Sequence, residues 1–243
     1  MKLYEINEQG LETLMDMEQF PKSEMDITSF FKQREAYTVQ DGVAYIHVFG
    51  PLIRNASEFQ KRQSLTDYAD IVNELERAAS DPSVFYVVIR FDSPGGESIG
   101  SQEVTNIVES FPKPIVGVVS GVCASAAYKI ASGCTVLYST VSSEIGSIGS
   151  IIIIENSKKA MNSLGVSKEI ISNDGATFKS VGADYGSLTD EHKQYLQGKV
   201  NDCALRFQET VLANRPEVNP ETFTAATYKA SDAVLMGLID AVI

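Results

Sequence analysis

Histidine is scarce in this chain: there are two in 243 residues, His47 and His192. A histidine-based catalytic triad would have to use one of them. His47 lies inside an apolar strand-like run, where packing or pocket lining is its expected role. His192 sits in Asp190-Glu191-His192-Lys193, a charged and solvated helix start. Cysteine is equally sparse. Cys123, Cys134 and Cys203 form no CxxC pair, and with two histidines they offer no familiar zinc spacing, so no metal site is expected. Reduced, mostly buried thiols in a cytoplasmic compartment are the expectation. Positive charge is in deficit, with 20 basic residues against 32 acidic ones and a net charge of −12. That balance disfavours a nucleic-acid backbone or an anionic membrane as partner. Long hydrophobic runs are also missing. The longest, residues 151–154, is far too short to span a bilayer. The opening MKLYEINEQGLETLMDMEQF carries acids and no apolar h-region, so neither a signal peptide nor a membrane anchor is expected.

What is present suits one large α/β domain, since 243 residues at 44% hydrophobic content can bury a substantial core. Residues 1–38 are polar and read as an N-terminal arm or appended helix, and residues 39–243 as the main domain. A strand is expected over 43–49, a polar loop over 54–64, and a helix over 66–79 with Tyr68, Ile71, Val72, Leu75 and Ala79 on one face. Residues 84–91 are almost continuously apolar, the pattern of a strand covered by helices on both faces. A helix carrying Ile99, Val104, Ile107 and Val108 follows, then a buried strand over 114–119 and a small-residue helix over 125–132. Short strands are expected near 135–138, 150–154 and 168–172. A long helix over 189–214 bears the stripe Leu196, Val200, Cys203, Phe207 and Val211. Alternation of strand and helix argues for a single α/β domain.

Two strand-to-helix junctions can carry chemistry. At Asp92-Ser93-Pro94-Gly95-Gly96 paired glycines let a substrate approach the backbone, and free N–H groups at the turn suit an oxyanion hole. Glycine is also the default turn residue, so this junction alone defines no site. At Ser120-Gly121-Val122-Cys123-Ala124-Ser125-Ala126-Ala127-Tyr128 a serine opens a helix among small residues. Ser125 can be a nucleophile or an ordinary N-cap. With both histidines placed elsewhere, a lysine is the better candidate base, provided burial lowers its pKa from about 10.4. Lys179, in Asn173-Asp174-Gly175-Ala176-Thr177-Phe178-Lys179-Ser180, and Lys129, one helical turn beyond Ser125, both qualify.

The chain resembles the signal peptide peptidase A family, and most closely its bacteriophage branch of head-maturation or capsid-assembly proteases. The likeness runs from about Gly42 to the C-terminus. It rests on four ordered motifs: Asp92-Ser93-Pro94-Gly95-Gly96, Ala124-Ser125-Ala126-Ala127-Tyr128, Gly146-Ser147-Ile148-Gly149 and the Gly175-to-Lys179 segment. The endings Tyr228-Lys229-Ala230-Ser231-Asp232-Ala233-Val234 and Gly237-Leu238-Ile239-Asp240 also match. The resemblance implies a Clp-protease/crotonase-like α/β fold of repeated ββα units and a Ser–Lys dyad without cofactor. It makes Ser125 the nucleophile, Lys179 the base and Ser147 the group that orients the amine. It assigns the oxyanion hole to the N–H groups of Gly96 and Ala126.

Two departures stand out. Lys129 replaces the bulky apolar residue usual in the family, and Ala126-Ala127 replaces the Gly-Gly of membrane-bound members. The implied partners are capsid and scaffold proteins, the chain itself as substrate, and further copies of the chain in a homo-oligomer. Many phage relatives continue into a scaffolding region, so processing or truncation of such a region is expected. Two alternatives are a soluble bacterial peptidase acting on hydrophobic peptides, and a crotonase-like acyl-CoA enzyme or inactive scaffold module.

Overall fold

The computed structural model describes residues 37–62, 64–154, 156–183 and 188–243. The arm expected over residues 1–38 lies, apart from Tyr37 and Thr38, outside them. The described residues belong to two compact units. Among them, one takes in residues 37–148 together with 207–243, and the other those within 149–206.

In the first unit the chain begins with β1 (Thr38–Gln40), β2 (Val43–Phe49) and β3 (Leu52–Ile53). Residues 54–64 are more than a loop, because they hold the short helix α1 (Glu58–Arg62). Then come β4 (Thr66–Asp67) and α2 (Tyr68–Ser80), whose first turn is capped by the Asp67 carboxylate accepting from Ala69 N at 3.0 Å. The apolar face of α2 buries Tyr68, Ile71, Leu75 and Ala78. Next follow β5 (Tyr86–Ser93), α3 (Ser101–Glu109), β6 (Ile115–Ala124), α4 (Ala126–Ser132), β7 (Val136–Ser139) and β8 (Glu144–Gly146).

The second unit carries α5 (Lys158–Ser163) and the start of α6 (Asp190–Asn214). The strands expected near 150–154 and 168–172 do not form. With no ladder partner among the described residues, Ile151 and Ile153 stay about 80% exposed, at 81% and 79%. Back in the first unit, a 3₁₀ turn (Pro220–Thr224), β9 (Thr227–Lys229), α7 (Ala230–Leu235) and β10 (Ala241–Val242) close the chain.

The main sheet runs β1-β2-β5-β6-β7-β10, parallel from β2 to β10, with β1 antiparallel at the edge. A parallel strand with helices on both faces should be buried throughout. β6 approaches this, with residues 115–119 all buried, and so does β7, where only Tyr138 is half-buried. In β5 burial alternates: Val87, Ile89 and Phe91 are inside, while Tyr86, Val88 and Arg90 are half-buried. The helices α2, α3 and α4 share one large core with the first face. The opposite face holds a smaller cluster of Val116, Val118 and Val136 with Tyr86, Val88, Tyr138 and Ile243.

The α6 stripe is buried only at its end, at Phe207 and Val211. There Thr210 donates to Gln102 Oε1 at 3.2 Å and Asn214 to Glu109 Oε1 at 2.7 Å, both on α3. Near the C-terminus, Arg215 Nη1 meets Asp240 Oδ2 at 2.8 Å, and the same oxygen accepts from Leu137 N at 2.6 Å. Tyr128 reaches from α4 to the Leu238 carbonyl at 2.9 Å.

Candidate active site

The junction between β6 and α4 is a single residue, Ser125. Asp67 makes the passage from β4 to α2 in ordinary extended backbone, at φ −83° and ψ 135°. Ser125 instead sits at φ 53° and ψ −125°, a sparsely populated conformation for a residue with a Cβ. Its N–H donates to Gly146 O and its carbonyl accepts from Lys129 N, both at 2.9 Å, so both sides of the turn are held. The side chain makes no capping hydrogen bond, which removes the N-cap reading. Such strain, on the order of 1–3 kcal/mol, persists where the surroundings over-determine it, and a serine held this way points to chemistry.

Strand register explains which residues surround it. Phe91 pairs with Val119 and Ser93 with Cys123, so three residues of β6 bulge opposite Asp92 alone. The Asp92 carboxylate accepts from Val122 N at 3.0 Å and holds the bulge. Three residues on, the Gly95-Gly96 turn lies against Ser125: a Cβ on Gly95 would stand 2.7 Å from Ser125 Cβ and 2.9 Å from Ala126 N. Gly95 has φ +95°, so both space and backbone require glycine there. On the other side β8 pairs with the end of β6, matching Ala124 with Gly146, so Ser125 and Ser147 follow a paired position side by side. Ser147 also has a positive φ of 55°, and its N–H is tied to Ala226 O at 2.8 Å. Thus Gly96, Ser125, Ala126 and Ser147 come together from three segments.

Two backbone donors are available there. Ala126 N–H is the first of α4 and has no acceptor within the helix. Gly96 bridges Leu52 in parallel fashion, with Leu52 N donating to Gly95 O and Glu97 N to Leu52 O, each at 2.9 Å. In that pattern the N–H of Gly96 itself points to the other edge, the edge carrying Ser125. Burial pushes the neighbouring Cys123 thiol well up, which leaves it a packing residue.

Lys129 does not behave as a free amine beside Ser125. It is 8% exposed, and its ammonium lies 5.9 Å from the Phe207 ring centre. Lys179 belongs to the second unit, where it is exposed and lies within a run of tight turns: Ala176 N donates to Asn173 O at 3.2 Å, Lys179 N to Ala176 O at 3.0 Å and Val181 N to Phe178 O at 3.3 Å. The turn is attached to the start of α6 by Phe178 stacked on Tyr195 at 4.5 Å and by His192 Nε2 at 3.0 Å from Thr177 O. His192 is therefore engaged with backbone. His47 is half-buried on β2, its ring 5.3 Å from Phe49.

Sequence inspection missed the hydroxyls of Ser93 and Tyr68, which flank the Gly95-Gly96 turn. Ser93 carried a legible trace, standing two residues before Gly95 where a hydroxyl commonly bonds the backbone. Tyr68 carried none, since on an amphipathic face it is indistinguishable from core. Among the described residues, no helix is long and apolar enough to cross a membrane, and no three His, Cys, Asp or Glu side chains cluster as metal ligands would.

Residues 109–243 match peptidase family S49. The chain is similar to capsid assembly protease C of Escherichia phage lambda, 28% identical over 214 residues that make up 86% of this chain and 48% of that protein. It is also 28% identical to head-tail preconnector protein GP5 of Enterobacteria phage P21 over 211 residues, 85% of this chain and 42% of the relative. Protease 4 of Haemophilus influenzae is 24% identical over 220 residues, 88% of this chain and 35% of the relative. The chain thus spans about half the length, or less, of these curated relatives.

Proposed function

Because the chain belongs to peptidase family S49 and is similar to a phage capsid assembly protease, we propose that it is a serine endopeptidase with a Ser125–Lys179 dyad. The observation that carries this reading is the strained, uncapped Ser125 pressed against the Gly95-Gly96 turn and beside Ser147. Ser125 Oγ attacks the peptide carbonyl while Lys179 Nζ takes its proton. The negative charge on the tetrahedral intermediate falls to the N–H groups of Gly96 and Ala126. Lys179 then delivers the proton to the leaving amine, and water resolves the Ser125 ester by the reverse proton traffic. Ser147 orients the amine. A neutral lysine is required, so activity rises towards alkaline pH. The parallel sheet with helices α2 to α4 on one face is compatible with a Clp-protease/crotonase-like fold.

The substrates on this reading are capsid and scaffold proteins, the capsid in line with the name of the phage lambda relative; the homo-oligomer as working form is what the family resemblance implies. The test is mass spectrometry of co-expressed capsid protein. Defined cleavage products are expected with the native chain and none with Ser125→Ala or Lys179→Ala. EDTA leaves the products unchanged. Products that persist with Ser125→Ala would refute the assignment. A second reading keeps the protease chemistry that the likeness to Protease 4 supports and takes hydrophobic peptides as substrates, as the resemblance to the signal peptide peptidase A family implies. It would be favoured if generic apolar peptides were cut and capsid protein were not.

A further inference from the structure

Four backbone groups flank Gly96, and all four are occupied. Gly95 N donates to Ser93 Oγ at 3.2 Å, Gly95 O accepts from Leu52 N at 2.9 Å, Glu97 N donates to Leu52 O at 2.9 Å, and Glu97 O accepts from the Tyr68 hydroxyl at 2.5 Å. Gly96's own N–H is the one left aimed at the Ser125 edge. Two of the four anchors are side-chain hydroxyls, and both are inside the molecule: Ser93 is 0% and Tyr68 4% exposed. Ser93 Oγ also donates to Gly50 O at 2.6 Å, which ties the turn to the end of β2. Tyr68 is fixed by α2, and its ring fills the space where a Cβ on Gly100 would lie, 2.7 Å from the tyrosine Cδ2.

We infer that Ser93 and Tyr68 are positioning residues: their hydroxyls hold the Gly95-Gly96-Glu97 turn from both sides and so set where the Gly96 N–H stands relative to Ser125. This inference rests on the oxyanion role proposed above for Gly96. The physical reason is geometric. A preorganised donor is effective only within about 2.7–3.1 Å of the developing oxyanion. A glycine turn has no side chain of its own to resist drift, so its position must come from partners. Neither residue touches the substrate. Each acts through the backbone it holds, and the consequence falls on the rate of the chemical step rather than on binding.

The experiment compares the full chain with its Ser93→Ala and Tyr68→Phe variants, using a fluorophosphonate probe and amide hydrogen exchange followed by mass spectrometry. Tyr68→Phe keeps the ring and its packing, so it remains informative if Ser93→Ala fails to fold. The expected result is a maximal Ser125 phosphonylation rate lower by about tenfold in each variant, part of the roughly 10²–10³-fold effect of deleting a donor outright. The half-saturating probe concentration should stay the same, and the Glu97 amide should exchange faster. An unchanged maximal rate with unchanged Glu97 exchange would overturn the inference. If the native chain were not labelled at Ser125 at all, the protease reading would fall. Glu97 exchange would then decide the positioning role by itself, sustained by acceleration in Tyr68→Phe and overturned by none.

Discussion

At Gly95 a methyl group would stand 2.7 Å from the Ala124 carbonyl oxygen and from Ser125 Cβ, on a backbone at φ +95°. Gly95→Ala must therefore push the turn away from Ser125. Cleavage should fall by at least about 10²-fold, the scale of losing an oxyanion donor, while urea denaturation reveals a loss of roughly 1–3 kcal/mol. Normal activity in this variant would mean that the turn does not serve Ser125. The cysteines make a second residue-scale prediction. Burial raises the thiols of Cys123 and Cys134, the latter to about 12, whereas Cys203 is only half-buried. Iodoacetamide on the native chain should modify Cys203 first, and equal labelling of all three would contradict the burial described. At this scale the strand-to-helix junctions that hold Ser125 and the two glycines were readable in the sequence, because an apolar run followed by small turn residues marks them. The sequence was silent on the Ser125 dihedrals, which arise only once Gly146 and Lys129 hold both sides of the turn.

Elements were legible where hydrophobic periodicity was strong. The strand over Val43–Phe49 follows from its apolar run, and the helix over Tyr68–Ser80 from a 3.6-residue stripe, which Asp67 caps in the structure. Residues 150–154 misled because four isoleucines in succession have no period, and a strand needs a partner that sequence cannot supply. Strands β8 and β9, three residues each, were invisible for the same reason, yet β8 brings Ser147 beside Ser125. The last strand depends on charge as well as pairing. Asp240 accepts both from Arg215, whose side chain is 9% exposed, and from Leu137 N. Asp240→Ala would leave that guanidinium without its carboxylate, and a stability loss of roughly 2 kcal/mol is expected by urea denaturation. A loss near zero would show that water replaces the carboxylate fully.

For the molecule as a whole, buried acids that stay protonated set an alkaline limit. Cys123 and Cys134 have folded-state pKa values above the ordinary 9.0, and burial also raises Tyr68 and Tyr128 above 10.0. Their contribution is fully present below about pH 9 and is lost as pH rises towards 12, because only the unfolded chain ionises in that window. Urea midpoints should therefore fall between pH 9 and 11, and a flat profile would contradict the burial of these groups. The most direct test of the Ser125–Lys179 dyad is the rate of Ser125 phosphonylation as a function of pH, in the native chain and in Lys179→Ala. The dyad predicts a sigmoidal rise in the native chain and a rate lower by at least about 10²-fold in the variant, with the rise lost. Lys179→Ala labelled at the native rate, with the same pH profile, would contradict it.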